Sequence, residues 1–124
     1  MKWQTFALIL ASVAFSSLAQ IALKHGMGSA ATQRAVADRQ LGGLLTLAAD
    51  PYIVCGFVLY GLGALVWLGV LAKIEVSLAY PFVGLGFLLT MVFGIGFLGE
   101  SFSLARLAGT LLIIAGVVLV ASTA

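Results

Sequence analysis

Charged residues are scarce in this sequence. Asp, Glu, Lys and Arg make up 8% of its 124 residues, whereas soluble domains carry about 25%. Hydrophobic residues make up 63%, and one membrane span needs roughly 20 predominantly apolar residues. The composition therefore excludes an ordinary soluble domain and leaves room for four membrane spans joined mostly by short connections.

The sequence also has little that would serve nucleic-acid binding or catalysis. Six Lys and Arg stand against four Asp and Glu, and they form no basic run. The single cysteine, Cys55, lies in an apolar segment and has no partner for a disulfide within the chain. No metal-ligand spacing, nucleophile–base pairing or phosphate-binding loop is found in the sequence. We therefore expect no enzyme activity, no catalytic residue, no metal and no cofactor.

Four apolar segments have the length of a membrane span. They cover about residues 3–23, 52–72, 76–98 and 104–121. The turn Lys73–Glu75 is very short, so the second and third spans must be antiparallel neighbours. These features predict an all-α integral membrane protein, in which residues 1–124 form a single four-helix transmembrane bundle.

The first span has the outline of a secretory signal peptide. Lys2 precedes its apolar core, and the small residues Ser17 and Ala19 stand before Gln20 as at a cleavage site. The apolar stretch continues past this site to Leu23, which gives a full span. We therefore expect the segment to be retained in the membrane.

A polar stripe runs along the otherwise apolar first span. Polar residues recur at every fourth position, and this spacing places them on one face of a helix. Such side chains are costly in hydrocarbon unless they face protein or a water-filled cavity. The stripe is therefore either a contact between helices, through hydrogen bonds of Ser and Gln, or one wall of a passage for a substrate. Its members are Ser12, Ser16, Gln20 and Lys24.

No charged residue lies in the middle of a span. Every Asp, Glu, Lys and Arg falls in a terminus, in a loop or at a helix end. A proton-coupled exporter usually needs a membrane-embedded carboxylate that exchanges protons for a cation. Export of organic cations would therefore depend on Glu75 or Glu100, which lie at helix ends.

The connection between the first two spans is long enough to carry structure of its own. Leu41, Leu44, Leu45 and Ala48 follow the i, i+3, i+4, i+7 pattern of an amphipathic helix. Residues 33–49 are therefore either a helix lying at the membrane interface or a partly ordered loop, which the adjacent glycines 42 and 43 favour.

Basic residues are distributed unevenly between the two sides of the membrane. Cytoplasmic loops carry an excess of Lys and Arg, so the richer side is predicted to be cytoplasmic, with both termini outside. The richer side has Lys24, Arg34, Arg39 and Arg106, and the other has Lys2 and Lys73.

The third span contains a proline. Pro81 has no amide hydrogen, so the carbonyl of Ser77 loses its helical partner. Gly84 and Gly86 follow within two turns and add points where the helix can bend. The segment is therefore either a static kink or a hinge, and Tyr80 beside it could present a hydroxyl.

Two glycines in the fourth span predict association with another helix. Gly109 and Gly116 are seven residues apart, which is close to two turns, so both fall on one face. Small residues let membrane helices approach closely. Transporters commonly build their site between two related halves, and this chain has no internal repeat. We therefore predict a homodimer, or a heterodimer with a related subunit.

Three sequence features occur together in this chain. They are Ser16-x3-Gln20-x3-Lys24, the run Leu78-Ala79-Tyr80-Pro81, and Gly99-Glu100-Ser101 followed by residues 109–117. Together they resemble the drug/metabolite transporter superfamily in its four-helix form, and the last is similar to the dimer-forming helix of the small multidrug resistance family. That family carries a membrane-embedded glutamate where this chain has Ser16, and this difference argues against proton-coupled drug export.

Within that superfamily, the pattern is more similar to the EamA-like group that includes aminoarabinose–undecaprenyl-phosphate flippase subunits. The resemblance implies a multi-pass transporter of the bacterial inner membrane that translocates a polyprenyl-phosphate-linked sugar or a related anionic lipid. Lysine is a usual phosphate partner. Alternatives are a small multidrug resistance-like exporter of organic cations and a non-transporting accessory subunit. The substrate-binding residues expected for a flippase are Ser12, Ser16, Gln20, Lys24 and Tyr80.

Overall fold

A computed structural model describes residues 2–38 and 41–123 of the chain. Four stretches of it are helical, long and apolar enough to cross a membrane. They are α1 (Trp3–Met27), α4 (Pro51–Leu71), the third span (Val76–Phe97) and α7 (Leu104–Ala121). The third span consists of α5 (Val76–Ala79), a 3-10 turn (Tyr80–Val83) and α6 (Gly84–Phe97). The prediction of an all-α, four-helix transmembrane bundle is confirmed.

Two spans begin at side-chain caps that the sequence supplies. The Asp50 carboxylate accepts hydrogen bonds from the backbone N–H groups of Tyr52 and Ile53, at 3.0 and 3.1 Å. Pro51 occupies the first helical position, where its missing N–H has no cost. Ser103 caps α7 in the same way, because its Oγ accepts from the Arg106 N–H at 3.3 Å. These caps define the first residues of α4 and α7, which begin at the same end of the bundle.

The long connection contains two helices, α2 (Ala30–Asp38) and α3 (Leu41–Ala49), which pack against each other. The predicted segment 33–49 is thus helical on both sides of Arg39 and Gln40, which lie outside the described residues. A Cβ built on buried Gly43 would lie 2.5 Å from the Ala35 carbonyl oxygen. The glycine that argues against a helix by propensity therefore permits the close crossing of α2 and α3.

The helical pattern of the third span is interrupted at its proline. The α-helix α5 ends at Ala79, a single 3-10 turn covers Tyr80–Val83, and α6 begins at Gly84. The interruption falls where Pro81 removes one backbone donor. The location of the irregular turn agrees with the sequence, and whether the turn acts as a hinge stays a prediction.

Helix α1 lies between two neighbours, packing along α4 on one side and against α6 on the other. Helix α7 packs against the third span. A cluster of buried side chains fills the half of the bundle that holds the N-terminus of α1 and the C-terminus of α4. It comprises Ile9, Val13, Val70, Ala79, Phe82 and Val117. Toward the C-terminus of α1, this cluster has no member, and α1 and α4 stay in contact at Gly26 and Gly56.

The close contact between α1 and α4 depends on Gly63. A Cβ there would lie 3.1 Å from Phe15 Cβ and 3.3 Å from the Ser12 carbonyl oxygen. We expect Gly63→Val to destabilise the protein by about 1–3 kcal/mol, because overpacking forces the helices apart. Thermal unfolding in detergent measures the effect.

Gly61 is the matched control for this prediction. It lies two residues away on α4, and no described atom comes within 4 Å of its Cβ position. Gly61→Val should leave the melting temperature close to that of the original protein. Equal destabilisation by both substitutions would show that helix propensity, rather than the α1–α4 contact, is responsible.

Candidate functional site

A groove of about 860 Å³ lies among the four spans and extends from the buried cluster, at Val13 and Trp67, to the end where α7 begins. Its volume is within the range of about 300–1,000 Å³ that is typical of small-molecule sites. All four spans contribute to its wall, as does the turn between α6 and α7. The lining includes Ser12, Ser16, Ser17 and Gln20 of α1, Tyr60, Gly63 and Trp67 of α4, Tyr80, Gly86, Thr90 and Gly94 of the third span, and Glu100, Ser103, Arg106, Gly109 and Thr110.

The serines of α1 divide between packing and the groove. The buried Ser12 donates from Oγ to the Gly63 carbonyl at 2.8 Å, which ties α1 to α4. Ser17, which the sequence analysis did not select as a site residue, donates to the Gly86 carbonyl at 3.4 Å and ties α1 to α6. Ser16 lines the groove between them and is partly buried. Ser12 and Ser17 therefore make helix contacts at the wall of the groove, and whether the stripe is the wall of a passage for a substrate stays a prediction.

Gln20 continues the stripe along the groove. Its side chain is exposed, and Nε2 donates to the Tyr60 hydroxyl at 3.4 Å. Tyr60 and Trp67 are seven residues apart on α4, so they share the face of α4 that lines the groove beside α1. This wall presents an amide, a hydroxyl and an indole, a set of groups suited to a sugar. The seven-residue spacing of these two aromatic residues is the feature of the sequence that could have identified this wall of the groove.

Tyr80 lines the groove from the other side. It belongs to the 3-10 turn at the proline and is 64% exposed. The neighbouring glycines lie at helix contacts. A Cβ on Gly84 would lie 2.6 Å from Ile113 Cγ2 of α7, and one on Gly86 would lie 3.2 Å from Ser17 Oγ. Gly84 and Gly86 therefore let the third span pack closely on α7 and α1, and their role as hinge residues stays a prediction.

Lys24 is not part of the groove lining. It lies in the last turn of α1 and is exposed. Next to it, the ring of His25 makes an edge contact with Tyr52, with 4.2 Å between the ring centroids. The structure therefore brings Ser12, Ser16, Gln20 and Tyr80 to one groove and leaves Lys24 at the surface, at the end of the bundle where α4 and α7 begin.

Among the described residues of the lining, the cation is Arg106 and the carboxylate is Glu100. From the sequence, Arg106 was assigned only to membrane orientation, and Glu100 was assigned to the cation-exporter alternative and to the family resemblance, neither of them to the substrate-binding site. Arg106 lies in the first turn of α7, three residues after its cap Ser103. A cation there is unfavourable for the helix dipole, so its position does not serve the stability of α7. This mismatch is a sequence signal that could have identified Arg106.

Backbone geometry places Glu100 against the end of α6. Gly99 has a φ of 67°, and the N–H groups of Leu98 and Glu100 both donate to the Gly94 carbonyl at 3.1 Å. This reversal folds the Glu100 side chain back over Gly94, so that a Cβ on Gly94 would lie 2.7 Å from Glu100 Oε1. Glycine at position 94 therefore leaves the space that the carboxylate occupies.

The glycines of α7 lie away from the other described residues. Apart from their chain neighbours and the backbone of α7 itself, no described atom comes within 4 Å of the Cβ position of Gly109 or Gly116. Gly109 lines the groove, and Gly116 is exposed. Neither glycine is needed for the intrachain packing described here, and their shared face is available to another molecule.

Comparison with known proteins gives relatives over nearly the whole chain. It is 35% identical over 118 residues, 95% of this chain and 97% of the relative, to the "Probable 4-amino-4-deoxy-L-arabinose-phosphoundecaprenol flippase subunit ArnE" of Pseudomonas aeruginosa strain UCBPP-PA14. The protein of the same name from Pseudomonas paraeruginosa is 33% identical over 113 residues, 91% of this chain and 93% of the relative. The uncharacterized protein y4nH of Sinorhizobium fredii is 32% identical over 115 residues, 92% of each chain. No family model and no solved structure matches.

Proposed function

Since this chain belongs to the family of 4-amino-4-deoxy-L-arabinose-phosphoundecaprenol flippase subunits, we propose that it translocates a polyprenyl-phosphate-linked sugar across the bacterial inner membrane. Flippase subunits are transporters rather than enzymes, and four spans make this chain a multi-pass membrane protein. For this chain, we propose both the class of substrate and the site that holds its head group.

The observation that carries the proposal is the groove among all four spans. A lipid-linked sugar must move its polar head through the membrane while its prenyl chain stays in hydrocarbon. An open groove with Ser16 and Gln20 on one wall and apolar helix surfaces around it suits both parts. The polar wall lowers the cost of bringing the hydroxyl groups of the sugar into the membrane. Because the groove is open, the prenyl chain of the substrate can stay in the lipid.

Particular side chains suit the two parts of the head group. We assign the sugar to Ser16, Gln20 and Tyr60, which line the groove with hydroxyl and amide groups. Tyr80 lines the groove nearer its other end, and its role in substrate binding stays a prediction. Arg106 is the cation of the described lining, and a guanidinium can bind phosphate through two parallel hydrogen bonds. Lys24, at the same end of the bundle, would meet the phosphate at the membrane surface. Ser12 contributes indirectly, by holding α1 against α4.

The relatives are named as subunits, so a partner is part of the proposal. We propose that the working unit contains this chain and a second subunit, either a copy or a related chain. The face of α7 that carries Gly109 and Gly116 supports this, because those positions are open to another helix. The seven-residue spacing keeps both on one side of α7.

The proposal is tested by the lipid that the protein retains. Native mass spectrometry of protein extracted in mild detergent from its own membrane should show a bound polyprenyl-phosphate species. Gln20→Leu should reduce the retained lipid and its transport in membrane vesicles about tenfold, because the head group loses a hydrogen-bonding wall. Leu18→Gln, an exposed position on α1 that is absent from the groove lining, is the control.

The alternative of a non-transporting accessory subunit gives the opposite result. If the polar stripe served only as a contact with another protein, Gln20→Leu would weaken co-purification of that protein and leave lipid transport intact. Retention of ordinary phospholipids alone, with no polyprenyl phosphate, would also contradict the flippase proposal.

A further inference from the structure

The groove contains an acid where the ligand is an anion. The Glu100 carboxylate lies over Gly94 and lines the same groove as Arg106. A phosphate-bearing lipid alone would be repelled by a carboxylate in its binding site. A bound head group that also carries a positive charge would instead be attracted by the acid.

The backbone holds this carboxylate at the groove wall. The positive φ of Gly99 and the Glu100 N–H bond to the Gly94 carbonyl turn the side chain back along α6. Because position 94 has no Cβ, the carboxylate can lie against the helix itself. A carboxylate that served only solubility would need neither the reversal nor the space at Gly94.

We infer that Glu100 is a specificity-determining residue that selects lipid-linked sugars bearing a protonated amine. Arg106 takes the phosphate and Glu100 takes the ammonium group, so that the groove is complementary to a head group with both charges. Neutral sugars and N-acylated sugars have no ammonium group, so Glu100 would have no positively charged partner in their complexes. This inference rests on the proposed function, and it assigns Glu100 to binding the amino group of the proposed substrate.

Trp67 provides a direct measurement of binding. It lines the groove, whereas Trp3, the other tryptophan, is 76% exposed at the start of α1. In a Trp3→Phe background, the fluorescence of Trp67 reports occupation of the groove. The ligands are a short-prenyl phosphate-linked 4-amino sugar and its N-acetyl derivative, titrated into protein that is extracted in mild detergent with any subunit it retains.

We expect the protein to bind the amino lipid about tenfold more tightly than the N-acetyl lipid, the size expected for one hydrogen bond between charged groups. Glu100→Gln should remove this preference, because the amino lipid loses its charged partner and the phosphate of the N-acetyl lipid is no longer repelled. Binding of the N-acetyl lipid at least as tight as in the unsubstituted protein shows that the variant is folded. Glu100→Asp keeps the charge and should keep a preference for the amine.

Glu75→Gln is the matched control. It removes the same charge from the turn at the opposite end of the bundle, outside the lining of the groove, and should keep the full preference. A preference that survives Glu100→Gln, or that is lost equally in Glu75→Gln, overturns the inference. Equal binding of both lipids by the unsubstituted protein overturns it while leaving the proposed function standing. Binding of neither lipid rejects the proposed function itself.

Discussion

Replacing Arg106 by glutamine is expected to weaken binding of the lipid-linked phosphate about tenfold or more, because a hydrogen bond to a charged group contributes about 1.5–3 kcal/mol. Arg106 is the cation of the described groove lining, and no comparable donor in that lining would replace it. The loss should not come from unfolding. Removing a cation from the first turn of α7 relieves an unfavourable interaction with the helix dipole. Titration of Trp67 fluorescence measures the affinity, and thermal unfolding measures the stability.

Lys24→Gln is the control for this prediction. It removes an equal charge at the same end of the bundle, but Lys24 lies outside the groove lining. We expect a small effect on affinity, which grows at low ionic strength because surface charges act over a longer distance there. If Lys24→Gln lost binding and Arg106→Gln did not, the phosphate would lie at the surface, and the sequence-based assignment of Lys24 would stand.

Gly109→Leu combined with Gly116→Leu is expected to separate the subunits and abolish transport. Both Cβ positions are open within the chain, so the fold of the single subunit should tolerate the larger side chains. Two leucines would hold apart the backbones of helices that approach closely at small residues. Size-exclusion chromatography with light scattering in mild detergent measures the association, and lipid transport in vesicles measures the activity.

Two other exposed glycines give a control of equal added volume. Gly61 of α4 and Gly96 of α6 also have no described atom within 4 Å of their Cβ positions. Gly61→Leu with Gly96→Leu should remain associated. Because Gly109 also lines the groove, Gly116→Leu alone is needed to separate loss of the partner from narrowing of the groove. A double variant at 109 and 116 that stayed associated and active would show that α7 is not the subunit contact.

The groove also explains why this chain departs from the small multidrug resistance pattern. That family carries a glutamate in the first span where this chain has Ser16, which lines the groove and is partly buried. An ionised acid at this mid-membrane position would be costly, whereas the sugar that we assign to Ser16 needs only a neutral hydrogen-bonding partner. The acid of this chain, Glu100, lies instead at the end of α6. The positions of the charges thus fit an anionic lipid with its head group directed toward that end.

Local features of the sequence were sufficient for the spans and their starts. Hydropathy over a window of about 20 residues identifies a span because the thickness of the hydrocarbon core fixes its length. Asp50 followed by Pro51 marks the start of α4 because cap and first position are adjacent in the chain. The four-residue spacing of Ser16 and Gln20 placed them on one face before any neighbour was known, since helix geometry is local.

Only the tertiary structure decided what that face meets. Ser12 donates to a residue 51 positions away in the chain, and Ser17 to one 69 positions away, so no local pattern separates their packing role from the groove role of Ser16. Lys24 and Arg106 both looked like charges at helix ends. The packing of α7 on the third span brought Arg106 and Glu100 to the groove and left Lys24 outside its lining. The sequence by itself determined the spans and the polar face, and the association of distant helices determined which polar groups share a site.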